Sequence, residues 1–85
     1  MKELETIVKL LTDITEDRTV PRNIRNAIEE AKKNIQEENG RDMVVKLSSA
    51  VSILDDIIND PNMPSYTRTQ IWNIVSMIEM IKSKL

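Results

Sequence analysis

The stretch Asp17-Arg18-Thr19-Val20-Pro21-Arg22-Asn23-Ile24-Arg25 (DRTVPRNIR, 17–25) returns 43 residues later as DPNMPSYTR (60–68). Three identities fall in register: Asp17 with Asp60, Pro21 with Pro64, and Arg25 with Arg68. Val20 stands opposite Met63 in the same alignment. Each copy reads as a turn followed by a helix start. An Asp at the head of a turn accepts the N–H two positions on. Thr19 and Asn62 are of types that cap helices, and Pro21 and Pro64 suit the first helical turn, where a missing N–H costs nothing.

Outward from these turns, apolar residues recur at helical spacing in four blocks. The first runs from about Lys2 to Glu16, with Leu4, Ile7, Val8, Leu11 and Ile14 on one face. The second runs from Pro21 to about Glu38, with Ile24, Ala27, Ile28, Ala31 and Ile35. The third covers roughly Asp42 to Asn59, with Val44, Leu47, Val51, Leu54 and Ile58. The fourth runs from Pro64 to about Lys84, with Ile71, Ile74, Val75, Ile78, Ile81 and Leu85 completing its stripe. Asn39-Gly40 is expected to close the second helix, since Gly tolerates the left-handed conformation of a C-cap. Short connections force antiparallel neighbours. The expected fold is all-α: an up-down four-helix bundle of two similar hairpins, about 2–38 and 42–84, in one domain.

The repeat extends into the helices. Leu4 matches Leu47, Val8 matches Val51, Leu11 matches Leu54, Asp13 matches Asp56, Ile14 matches Ile57 and Ile28 matches Ile71. A period of this length also suits a HEAT-like pair of helices, so a two-unit helical stack is the second architecture to consider.

Composition narrows the chemistry. The chain has 85 residues, one Gly, three Pro, one Trp, one Tyr and no Phe, so its core must come from Ile, Leu, Val and Met. It has no Cys, which removes disulfides and thiolate chemistry, and no His, which removes the commonest general base and zinc ligand. Twelve basic and 14 acidic residues give a net charge of −2, without the basic footprint of a dedicated nucleic-acid binder. No apolar run reaches the roughly 18 residues that span a bilayer, and no signal-type segment opens the chain. A cytoplasmic protein without membrane association is expected.

The segments DPNMPSYTRTQIWNIVSMIEMI (60–81) and DRTVPRNIRNA (17–27) resemble an uncharacterised family of short archaeal proteins. The resemblance covers nearly the whole chain. It implies an all-helical, four-helix bundle of archaeal origin and supplies no catalytic or binding residues.

Several side-chain groups invite a site. Asp13 and Arg25 are expected at similar heights on adjacent helices, as are Asp56 and Arg68, which suggests an ion pair across each hairpin. Asp13, Glu16 and Asp17, echoed by Asp56, Asn59 and Asp60, form the strongest oxygen-ligand candidate, as a magnesium-dependent nucleotide hydrolase would need. Asn59 breaks the second set, and no Glu-x-x-Glu pair lies on a core-facing stripe, so no metal or cofactor is expected. Serines are present without a His or a nucleophile elbow, and Gly40 alone cannot cradle phosphate. Arg18, Arg22 and Arg25, with Tyr66 or Trp72 to stack on bases, would serve a nucleic-acid accessory protein; neighbouring carboxylates cancel that field.

The halves differ in one respect. Residues 1–42 hold 13 hydrophobic and 18 charged residues, whereas 43–85 hold 21 and 8. The second half therefore has more apolar surface than one bundle stripe uses. Val45, Ile53, Trp72 and Met80 fall off the core-facing stripes, and Met77 lies at the margin. Trp and Met are favoured at protein interfaces. The function expected is a non-enzymatic interaction or structural module, self-associating as a dimer or binding another protein through the third and fourth helices.

Overall fold

The computed structural model describes residues 2–37 and 42–85. Four helices follow one another: α1 (Lys2–Thr15), α2 (Arg22–Gln36), α3 (Met43–Ile57) and α4 (Ser65–Lys84). The proposed Asn39-Gly40 helix end lies outside the described residues. α3 opens on Asp42, whose carboxylate accepts the Val44 N–H at 2.7 Å. That bond satisfies one of the orphan donors of the first turn.

Packing contacts join α1 to α2, α2 to α3, α3 to α4 and α4 to α1. Among the described residues, no contact of this kind joins the diagonal pairs α1–α3 and α2–α4. A HEAT-like stack would place like helices side by side, α1 on α3 and α2 on α4. The closed ring is instead that of an up-down four-helix bundle. The α1–α2 and α3–α4 turns consequently lie at the same end.

One apolar core fills the ring. Ile7, Leu11, Ile14, Ile24, Ile28, Leu47, Leu54, Ile71, Ile74 and Ile78 are essentially withdrawn from solvent. At about 25 cal/mol per Å² of apolar surface, each contributes on the order of 2 kcal/mol. The turns also contribute: Val20 and Met63, opposite each other in the repeat, are both buried. Each closes its turn by donating its N–H to the carbonyl three residues back, Val20 to Asp17 and Met63 to Asp60.

Two stripes differ from the sequence expectation. Val44 and Leu85 are exposed, and α3 turns Lys46, Leu47, Ala50 and Leu54 inward. α2 and α3 approach each other more closely than any other pair, and each brings a fully buried alanine, Ala31 and Ala50. A small side chain allows this approach where Val44 or Ile58 would hold the helices apart.

Thr67 is fully buried and its hydroxyl finds no hydrogen-bond partner among the described residues. The equivalent position of the first repeat is Ile24, also fully buried. Thr67→Val keeps the shape and removes the orphaned hydroxyl. It is expected to stabilise the fold by about 1 kcal/mol in urea titrations. A loss of that size would show that the hydroxyl is satisfied in solution.

Candidate functional site

The repeated turns meet at one end of the bundle. Asp17 Oδ1 accepts the Thr19 N–H at 2.9 Å and the Thr19 hydroxyl at 2.7 Å. Asp60 Oδ1 accepts the Asn62 N–H at 2.8 Å. The second oxygen of each aspartate reaches the other repeat. Asp17 Oδ2 accepts the Tyr66 hydroxyl at 2.7 Å, and Asp60 Oδ2 accepts from Asn23 Nδ2 at 2.9 Å. Asn23 and Tyr66 are themselves 43 residues apart. Thus each turn aspartate holds the same position of the opposite hairpin, with approximate two-fold symmetry. Bonds from the Thr19 hydroxyl, the Tyr66 hydroxyl and the Thr19 N–H, with the Arg25 charge nearby, hold the Asp17 carboxyl below its usual range.

Neither Thr19 nor Asn62 caps a helix. Pro21 (φ −54°, ψ 148°) and Pro64 (φ −58°, ψ 143°) occupy the N-cap positions, and no side chain bonds the first turn. The proline carbonyls accept the first helical bonds, from Arg25 and Arg68 respectively. Thr19 and Asn62 lie two residues too early, inside the turn that the aspartate closes.

The expected cross-hairpin ion pairs do not form. Asp13 pairs with Lys9 at 3.4 Å on its own helix, and Asp56 is exposed. Arg68 donates to main-chain carbonyls, from Nε to Ile58 at 3.0 Å and from Nη2 to Asp60 at 3.0 Å. The Ile58 carbonyl at the end of α3 is a fixed acceptor within reach of Arg68, whereas Asp56 is exposed. Arg25, at the equivalent place, leaves its buried Nε without a partner among the described residues.

Among the described residues, no three acidic side chains converge as metal ligands would. Arg18 and Arg22 are exposed and Arg25 is half-buried, while the Tyr66 hydroxyl is engaged by Asp17. No helix among the described residues is long and apolar enough to cross a membrane.

The apolar residues singled out in the second half are placed as follows. Val45, Trp72 and Met80 are exposed, at 48%, 57% and 61% of their surface. Ile53 and Met77 are half-buried against the core. Met77 and Met80 face α1 across a groove. One hollow there, about 260 Å³, is lined by Leu10, Gln70, Asn73, Ile74 and Met77. A second, about 140 Å³, continues it along Glu3, Met77, Met80, Ile81 and Lys84. Trp72 lies about 80° round the helix from Met80, from the 100° turn per residue. It is on the flank shared with Arg68, which reaches the end of α3.

In the 43-residue register the positions of this groove correspond to positions on α2 and α3, the most closely packed pair. There Ile53 stands for Leu10, Asn34 for Met77, Glu37 for Met80 and Glu30 for Asn73. The groove presents mainly apolar surface, whereas the corresponding positions are largely polar. Leu10 and Asn23 were missed by sequence reasoning, which considered Tyr66 only as a base-stacking side chain and not as the partner of Asp17. The register of the repeat pairs Asn23 with Tyr66, and was the available signal for their shared role.

The sequence matches the model of an uncharacterised protein family, UPF0147, over residues 1–81. The UPF0147 protein of Methanocaldococcus jannaschii is 51% identical over 79 residues, covering 93% of this chain and 84% of the relative. That of Saccharolobus solfataricus is 44% identical over 80 residues, covering 94% and 89%. A crystal structure of the unknown-function protein MMP1188 superposes with a TM-score of 0.86 at 48% identity, covering 91% of this chain and 86% of that one. A UPF0147 crystal structure from Thermoplasma acidophilum gives 0.88 at 30% identity, covering 94% and 93%. The matches extend over almost the full length of each partner, in sequence and in fold, and the chain belongs to the uncharacterised archaeal family UPF0147.

Proposed function

We propose that the chain is a non-enzymatic helical interaction module that self-associates through the apolar side of α4. The observation supporting this is the contrast between this groove and the corresponding positions of the repeat on α2 and α3. Features that both hairpins need to fold, the turn aspartates and the inward-facing Leu11 and Leu54, are shared by both. Apolar residues at positions that are polar in the other copy of the repeat are not required by the bundle itself. Leu10, Met77 and Met80 make the α1–α4 side the sticky one, and methionine adapts to varied partners. Trp72, Val45 and Ile53 add apolar surface on other flanks of α3 and α4. In the same reading, the arginines near the first turn serve solubility and local charge balance.

The test is Met80→Glu. The wild-type chain is expected to sediment as a dimer at tens of micromolar. The variant should be monomeric, with unchanged helical circular dichroism, because Met80 is exposed and contributes nothing to the core. Wild-type protein that stays monomeric up to millimolar concentration would overturn self-association.

A further inference from the structure

Resting on that reading, we propose that the α1–α4 groove is closed by a second copy of this chain, with α4 antiparallel to its twin and a two-fold axis passing beside Met77. In this arrangement Met80 of each copy seats in the other copy's hollow between Leu10 and Asn73.

The placement follows from residue spacing along α4. An antiparallel pairing centred on residue 77 sets position 80 opposite 74 and position 84 opposite 70. Position 74 belongs to the 260 Å³ hollow, lined also by Leu10, Gln70, Asn73 and Met77. Met80 is the most exposed of the large apolar side chains on α4, and so is the available knob. The same operation supplies both insertions, as a two-fold interface requires.

The polar ends agree with this register. Gln70 has a buried Oε1 with no hydrogen-bond partner among the described residues. Lys84 of the second copy arrives at the level of that orphaned acceptor. α1 runs opposite to α4, with Leu10 beside Asn73 and Ile74 and Asp17 bonded to Tyr66. Asp13, paired with Lys9 on its own helix, therefore lies near the level of Gln70, and each Lys84 approaches that carboxylate of the other copy. Glu3 falls opposite the neutral pair Leu10 and Asn73.

The chain contains no cysteine, so one introduced thiol reports position without interference. Met77→Cys lies beside the proposed axis, and packed helices stand about 8–10 Å apart, within reach of a short bis-maleimide. It is expected to cross-link to covalent dimer in the majority of chains. An equimolar mixture of Asn73→Cys and Met80→Cys should link to each other. Trp72→Cys and Val45→Cys should remain uncoupled. Lys84→Glu should weaken the dimer several-fold, and adding Asp13→Lys to the same chain should restore it. Coupling through Trp72→Cys or Val45→Cys in its place would overturn this geometry while leaving self-association standing. A chain that stays monomeric at every concentration would overturn both.

Discussion

Leu54→Ala is expected to destabilise the bundle by about 3 kcal/mol, within the roughly 2.7–5 kcal/mol found for buried Leu→Ala changes. Leu54 has no exposed surface, and the methyl groups removed leave a cavity that rigid helices cannot fully close. At roughly 0.05–0.15 kcal/mol per residue, a domain of this size has about 4–13 kcal/mol of stability in all. The substitution therefore removes a large fraction, and for a domain this small it lowers Tm by roughly 12–24 °C. Leu11, the equivalent residue of the first repeat, is also fully buried, so Leu11→Ala should cost a similar amount. Leu10→Ala, a half-buried change in the groove, should cost about 1 kcal/mol or less. Thermal melts of the three variants decide the matter. If Leu10→Ala proved the costliest, the wrong leucine of the adjacent pair would have been assigned to the core.

That assignment was readable from sequence because α1 and α2 are strongly amphipathic. Ile7, Leu11 and Ile14 repeat at helical spacing among charged neighbours, and only one face of the helix qualifies. In α3 the same reasoning chose a stripe rotated from the true one. Val44, Val45, Val51, Ile53, Ile57 and Ile58 surround that helix, so hydrophobicity gives no direction. The face was decided by Ala50, whose smallness lets α2 come close, and closeness between helices is not a property of either sequence stripe alone. Turn chemistry was partly legible. The Asp17 and Asp60 bonds to the N–H two residues on follow from local backbone geometry. Their second bonds, to Tyr66 and Asn23, depend on which turns share an end of the bundle and needed the closed ring. The groove was least legible. Met77 and Met80 were visible as surplus apolar residues, but their neighbour across the groove, Leu10, belongs to the other hairpin and has an unremarkable place in the sequence.

Arg68→Met and Arg25→Met are expected to separate two arginines that the repeat makes look equivalent. Arg68 donates two hydrogen bonds to the carbonyls of Ile58 and Asp60, from a half-buried position. Ile58 is the C-cap of α3, so the first bond satisfies an acceptor that the helix itself leaves open, and the second joins the Met63 N–H at the Asp60 carbonyl. Hydrogen bonds to a charged group are worth about 1.5–3 kcal/mol each, less where water competes. Allowing for partial exposure, Arg68→Met should cost about 2 kcal/mol, with Arg68→Lys between the two because ammonium cannot span both carbonyls in the fork geometry of guanidinium. Among the described residues, Arg25 makes no such bond and leaves a buried Nε unpaired. Replacing it with methionine keeps the aliphatic packing and removes the orphaned donor, so the cost should be near zero. Urea unfolding of the three variants gives the comparison directly. Equal losses for Arg68→Met and Arg25→Met would mean that both arginines hold their turns in solution and that the asymmetry at this end is not real. A clear difference would show that only the second copy still uses its arginine to lock α3 to α4, the hairpin that carries Met77 and Met80 into the proposed interface.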